Sequence, residues 1–561
     1  MPHFLPSLHP TSNLGPPLFT KEPEPRAWRL FHFIHTTLQP MRFSSFRPAA
    51  SIQRLALAVG LLSFALTHAA AAPAASATES NHSFAVVVYN VENLHDVDGI
   101  ALYDEFKGDK YTPAHLAVKI ANIATVLSKV DKGVGPAIAA FNEIELDQTP
   151  DSTVKDYDQW LASVSGTTAK ALLAQSPLPP ELAGLPVEAW LLKACVDAGV
   201  TGYHVVVTDE KPREGAAVRN VLFTRFPVTA TRTLPVESAR AIIEATLEVD
   251  GHPLTVFVNH WKSMRGKEPA DTEPARRQNA GVLRARLDEL LKADANADIL
   301  ITGDLNSSYN HKQINRNLGG PSAINDVLGS QGNELAIRGK QRDLYNLWFE
   351  LPSDQRTSEV FENKWGTLIN LIVSRGLYDQ NGVQYVDNSF AVLKIPGLNM
   401  DALGRPIAFS RGKVPYGFSD HFPIYARFRT VDTNAKDQWM PLARPSETET
   451  GPDTLVKAEV SSTSLFANAL KPDALPAGAD IRNGTYDGKI FLIEEPCYVN
   501  DKGHVKTKVG GLEYDVFSHN KELRATLRDR ARTEPKLRFY GELGQFKGNW
   551  QFIVHDKDWL K

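Results

Sequence analysis

Cysteine is nearly absent from this chain of 561 residues: only Cys195 and Cys497 occur, one in each half of the sequence. That scarcity excludes a disulfide-dense framework and a zinc site built from four cysteines. No His-Glu-x-x-His, no Gly-x-Ser-x-Gly and no glycine-rich nucleotide loop is found. Zinc-protease, nucleophile-elbow and P-loop chemistries therefore have no support. Net charge is also scarce, with 61 basic against 65 acidic residues and a balance of −4. A strongly basic protein that coats nucleic acid is thereby excluded. Long apolar runs are few, and the mean hydropathy is −0.26. With 42% hydrophobic and 22% charged residues, the chain is no polytopic membrane protein, no collagen and not wholly disordered. Its length suits two to four domains.

The first forty residues carry eight prolines, from Pro2 to Pro40. No helix tolerates that density, so 1–40 is read as disordered or untranslated. Met41 then opens a three-part pattern: Arg42, Arg47 and Arg54, the apolar stretch Leu55–Leu66, and the alanines Ala69–Ala72. A basic start, an apolar middle and small residues before cleavage make a secretory signal peptide. We assign it to 41–77, with natural initiation at Met41. The run Leu55–Ala72 is short for spanning a bilayer, so no stable membrane anchor is expected after cleavage. A periplasmic or secreted location follows from the signal.

From 80 to 430, β-branched runs alternate with amphipathic stretches. Strands are expected at Phe84–Asn90, Ala137–Phe141, Tyr203–Thr208, Val218–Thr224, Ala241–Val249, Leu254–Asn259, Asp298–Thr302, Leu368–Val373 and Phe422–Phe428. Helices are expected at Pro113–Val130, capped by Thr112, and at Asp271–Leu291. Many strands with helices between them indicate an α/β or α+β sandwich. The segment 151–190, with Pro177, Pro179, Pro180 and Pro186, reads as a surface insertion. Residues 431–455 are polar and turn-rich, which fits a linker. The remainder, 456–561, shows short strands and one helix at Lys521–Arg530. A small β-barrel of the OB type is the expectation there.

Five short islands at strand ends carry the chemistry: Tyr89-Asn-Val-Glu-Asn93, Phe141-Asn-Glu-Ile-Glu145, Val258-Asn-His-Trp-Lys-Ser263, Gly303-Asp-Leu-Asn306 and Phe418-Ser-Asp-His421. Singly, each has a commonplace reading. Asn90 suits a turn, Glu143 a solvated carboxylate, Gly303-Asp304 a turn, and His260 a structural histidine. Together they supply carboxylates and carboxamides, the hard oxygen donors that suit Mg²⁺ better than zinc. Two histidines beside them can hold or protonate phosphate oxygens.

In this order and with these flanks, the five islands resemble the endonuclease/exonuclease/phosphatase superfamily over about 83–430. The resemblance implies a DNase I-like four-layer α/β sandwich, so the whole chain is expected to be α+β, with the small barrel following. It implies that Asn90, Glu143 and Asp420 bind the metal, Mg²⁺ first with Mn²⁺ or Ca²⁺ as alternatives. Asp304 would orient or deprotonate the attacking water, and Asn306 would position that water or a phosphate oxygen. His421 would contact the scissile phosphate, and His260 is a candidate general acid. One departure stands out. Where many members place an aspartate that orients the last histidine, this chain reads Lys364-Trp-Gly-Thr-Leu-Ile-Asn370, putting Ile369 or Asn370 there. Arg240 and Arg277 are either phosphate contacts or surface salt-bridge partners.

These motifs do not choose the ester. Residues 455–561 hold 17 basic and 15 acidic residues, whereas the preceding part of the mature chain is acidic. Seven basic residues fall within 521–538, and Tyr514, Phe517, Phe539, Tyr540, Phe546 and Trp550 lie near them. That profile fits either a surface that stacks single-stranded nucleic acid or a solvated helix over ordinary core aromatics. The expectation is an exported nuclease acting on DNA or RNA. The alternative is a secreted phosphodiesterase or phosphatase acting on a lipid headgroup or small ester.

Overall fold

The computed structural model describes residues 82–561, without 449–465 and some shorter internal stretches. The assignments to 1–40 and 41–77 lie outside the described residues. Among the latter, no helix is long and apolar enough to cross a membrane.

The first region runs β1 (Ser83–Leu94), α1 (Pro113–Leu127), β2 (Ile138–Glu145), α2 (Tyr157–Ser163), α3 (Ala169–Leu173), α4 (Pro180–Ala183), α5 (Val187–Asp197), β3 (His204–Val207) and β4 (Val218–Thr224). It continues with β5 (Val228–Leu234), β6 (Ile242–Val249), β7 (His252–His260), α6 (Pro269–Ala293), β8 (Ile299–Asp304), α7 (His311–Ile314), β9 (Ser330–Gln331), α8 (Glu334–Ile337) and β10 (Leu344–Asn346). It closes with β11 (Glu359–Phe361), β12 (Lys364–Gly366), β13 (Ile369–Val373), β14 (Asp379–Tyr385), β15 (Ala391–Val392) and β16 (Ile424–Trp439). One sheet has the order β14-β16-β1-β2-β4-β3, with β15 also on β16, and the other the order β5-β6-β7-β8-β13-β10-β9.

The alternation of apolar residues along β1 explains the layering. Phe84, Val86 and Val88 point into the core shared with Val256, Val258 and Leu371 of the other sheet. Ala85, Val87 and Tyr89 point outward onto Leu116, Ile120 and Ile123 of α1 and Trp190 of α5. On the far side, Leu283, Leu287 and Leu291 of α6 cover Phe257 and Ile301. The result is helix, sheet, sheet, helix, the four-layer α+β sandwich expected.

Three expectations need correction. The segment 151–190 has no strand, as read, but it is more than a surface insertion: it holds α2, α3, α4 and the start of α5, and Trp190 has no exposed surface. Its prolines punctuate short helices, with Pro180 and Pro186 at their starts, where a missing N–H costs nothing. The linker begins later than 431, because β16 continues to Trp439 and pairs with β14 up to Asp379. Polar residues suffice there because this part of the strand pairs on one side only. Finally, strands β5, β10 and β14 were not expected from the sequence; β5 is mostly exposed and polar.

The second region holds β17 (Ile490–Glu495), β18 (Cys497–Val499), β19 (Val505–Val509), β20 (Leu512–Phe517), α9 (Lys521–Thr533), β21 (Leu537–Phe546) and β22 (Asn549–Ile553). They form one six-stranded sheet, ordered β17-β21-β22-β20-β19-β18. Leu523 and Leu527 of α9 pack with Phe491, Phe539 and Phe552 in its core. Both cysteines are free and buried.

Candidate active site

The predicted residues gather where β1, β2, β7 and β8 end and β16 begins. Two bulges aim the first of them. The pairing of β1 with β2 shifts between Asn90 and Leu94, and that of β2 with β4 shifts between Phe141 and Ile144. A bulge breaks the alternation and re-aims a side chain. Glu143 at the second bulge has φ 64°, and Glu92 and Asn93 at the first have φ 54° and 55°. Such backbone is strained for residues with a side chain and persists where the surroundings enforce it.

Glu143, Asp304 and His260 place one ligand atom each within 4.8 Å of one another. Asn90 lies between the carboxylates, donating from Nδ2 to Glu143 Oε1 at 3.0 Å and to Asp304 Oδ2 at 3.0 Å. His260 Nε2 is 3.9 Å from both carboxylates. The Asn306 amide donates to Asp304 Oδ1 at 2.8 Å, and its side chain is tied to the Trp261 carbonyl. Hard oxygens of two carboxylates around a carboxamide are a fitting donor set for Mg²⁺ or a similar cation. Asp420 stands apart from this cluster. It is half exposed beside His421, its Oδ1 3.8 Å from Nε2.

His421 lies almost wholly buried, yet it is a cation at neutral pH. Burial opposes its charge, but Asp420, Glu359 and Asp304 outweigh that and push its pKa up to about 10. His260 goes the other way: burial, then the positive charges of Arg240 and His421, hold it well below the ordinary histidine value. One histidine is therefore charged and the other neutral. Burial raises the carboxyl of Asp304, with His421 opposing. Arg240 donates to the Trp261 carbonyl at 3.2 Å, close enough to act on His260. Arg277 donates from Nη1 to the Leu318 and Pro321 carbonyls.

The structure settles the departure noted at Ile369 and Asn370. Ile369 lies in the core. Asn370 bonds Ser307, Leu368 and Asn346 rather than His421. The carboxylate beside His421 comes instead from Glu359 on β11, whose Oε2 is 3.6 Å from Nδ1. Leu368 N–H and Ser358 Oγ–H fix that carboxylate. Gly366 on the partner strand makes room for it, since a Cβ there would meet Glu359 Oε1 at 1.9 Å.

Glu359 escaped the sequence reading because nothing local marks it. Lys119 did leave a signal, as a lysine on the apolar face of α1 between Leu116 and Ile123. It is fully buried, donates to the Glu92 carbonyl and lies over the Phe409 ring. Burial lowers its pKa to about 8, with Glu92, Glu143 and Asp420 opposing. Asn142 joins the two sheets beneath the site. Its side chain donates to Asn220 Oδ1 and the Asn259 carbonyl and accepts from the Asp304 amide.

Most aromatics of the second region's basic and aromatic run are engaged within the fold. Tyr514 and Phe539 are buried in the core. Tyr540 stacks on Phe466, and Trp550 on Tyr416. Arg530 pairs with Glu534 and Arg538 with Glu494. Phe546 is 62% exposed.

Solved structures with a similar course include TDP2 from C. elegans, at 14% identity, 62% of this chain, 75% of that one and a TM-score of 0.33. An endonuclease/exonuclease/phosphatase family protein from Bacteroides thetaiotaomicron gives 14%, 63%, 96% and 0.34. A mannosyl-6-phosphatase from the same organism gives 12%, 62%, 99% and 0.34. No curated protein matches the sequence. Residues 220–430, which hold His260, Asp304, Asn306, Asp420 and His421, match the Endonuclease/Exonuclease/phosphatase family.

Proposed function

We propose that this chain is an exported, divalent-cation-dependent phosphodiesterase that hydrolyses DNA or RNA. The observation that carries the reading is the convergence of Glu143, Asp304 and His260 around Asn90, with a charged His421 close by. A bound cation supplies neutralisation of the phosphate and polarisation of water; Glu143 and Asp304 would hold it, with Asn90 beside them and Asp420 at the outer edge.

The chain's own groups account for the rest. His421, protonated at neutral pH, holds a phosphate oxygen and stabilises the charge that builds on it. Glu359 faces its Nδ1 at 3.6 Å and attracts the charged ring. Neutral His260 is suited to donating a hydrogen bond rather than releasing a proton, which departs from the general-acid role the resemblance implied. Asn306 places a neutral amide where a further carboxylate would repel the substrate. The pattern at 41–77 supports export, and N-terminal sequencing of secreted protein, wild type and M41A, tests it.

The test of function is incubation of the mature protein with plasmid, single-stranded DNA, RNA, sphingomyelin and bis-(p-nitrophenyl) phosphate, in Mg²⁺ or EDTA, beside H421A and D304A. Polynucleotide cleavage that needs metal and both residues is the expected result. Cleavage only of sphingomyelin or the small ester would move the assignment to a lipid or small-ester phosphodiesterase. Activity surviving in EDTA or in D304A would sink the mechanism.

A further inference from the structure

A second group of acids sits elsewhere in the sandwich and shares no residue with the catalytic cluster. Glu334 opens α8, Glu350 ends the turn Leu347–Glu350, and Asp387 follows β14. One oxygen of each lies within 4.8 Å of the other two. Among the described residues, no lysine or arginine forms an ion pair with any of them. Arg338, whose charge reaches Glu334, gives its Nη2 to the Met440 carbonyl.

Their hydrogen bonds satisfy only part of each carboxylate. Glu334 accepts from Tyr378 Oη and the Ser446 amide. Glu350 accepts from Tyr385 Oη, and Asp387 from the Ala443 amide. That leaves Glu350 Oε1 and Asp387 Oδ1 shut off from solvent with no partner. The hydroxyl of Tyr345, a side chain with no exposed surface, is also without a hydrogen-bond partner. It lies in the field of Glu334 and Glu350. Enclosed carboxylates without a countercharge are costly. Carboxylate oxygens gathered this closely, two of them without a partner, are what a hard cation takes.

Hydration selects the cation. Ca²⁺ accepts carboxylate oxygens in a flexible shell, whereas Mg²⁺ dehydrates reluctantly and is seldom held by an enclosed set of protein ligands alone. We propose that Glu334, Glu350 and Asp387 form a calcium site. The site would also hold the stretch 440–446, which leaves β16 for the second region and gives Ala443 and Ser446 amides to two of its acids.

The test uses the full mature chain carrying E143Q and D304N, which disables the catalytic cluster, so the outcome is independent of the proposed function. After EDTA treatment and dialysis, CaCl₂ alone is titrated calorimetrically at pH 7.5. One Ca²⁺ per chain is expected, with the melting midpoint raised by about 3 °C or more at saturation. Adding E350Q or D387N should weaken binding at least tenfold. Tb³⁺ should emit when excited through tyrosine, and Y345F should dim that emission. Absence of Ca²⁺ binding, undiminished affinity in both E350Q and D387N, or Mg²⁺ binding as tightly as Ca²⁺ would each overturn the assignment. Should those variants not fold, the parent decides: no thermal shift with Ca²⁺ and no Tb³⁺ emission would overturn it equally.

Discussion

His421 has three carboxylates around it, and they differ in what they do. Asp420 is a half-exposed neighbour, Asp304 belongs to the cation cluster, and Glu359 is a buried brace with its own hydrogen bonds. H421Q should therefore lower kcat by about 10²–10⁴ with little change in KM, measured on whichever phosphate ester is cut. E359Q removes only the brace, so a loss of about tenfold is expected, with E359D recovering part of it. Equal losses in H421Q and E359Q would mean that Glu359 does more than hold the ring. Glu334 allows a prediction about stability. Its carboxyl titrates near 4.5 when unfolded and at about 7 when folded, because burial favours the neutral form. The folded state thus binds the proton more tightly. Its contribution is fully present below about pH 4.5 and is lost as pH rises through 7, a change of about 3 kcal/mol at most. In EDTA the calorimetric midpoint should fall between pH 5 and 7.5, and E334Q should flatten that fall.

The strands that carry the site are held close by Gly303 on β8. It has φ 123°, and a Cβ there would lie 1.9 Å from the Asn259 carbonyl oxygen on β7. G303A must push β7 and β8 apart at the position next to Asp304. A cost of about 3 kcal/mol or more is expected, read as a lower urea midpoint, along with loss of activity. This glycine also shows what was legible in the sequence. Buried strands of β-branched residues, such as Phe84–Asn90 and Val218–Thr224, announced themselves, and so did the polar islands at their ends. β14 did not, since its sequence Asp-Gln-Asn-Gly-Val-Gln-Tyr has too few apolar residues to show alternation. The helices within 151–190 were hidden by their own prolines. At the site, Asn90, Glu143, His260 and Asp304 were readable because each stands in the last part of a buried apolar strand. Glu359 was not, because its role depends on pairing with β12 and on a contact with His421 sixty-two residues later in the chain.

At the scale of the whole molecule, the two regions meet through a charged lock. Arg405 pairs with Asp401 and with Glu542 of β21, and His555 also bonds Glu542. R405A would leave two largely buried acids facing each other, and about 3–5 kcal/mol of stability should be lost; a thermal scan should show the two regions melting separately rather than together. The same loop presents Gly412 beside Gln545 and stacks Tyr416 on Trp550. It then passes through Phe418 and Ser419 to reach Asp420 and His421. Cutting the chain at 455 would therefore strip a buttress from the loop that delivers His421. The shortened protein would act as a loosened catalyst, and its lost activity would be misread as lost affinity for substrate unless kcat and KM were measured apart.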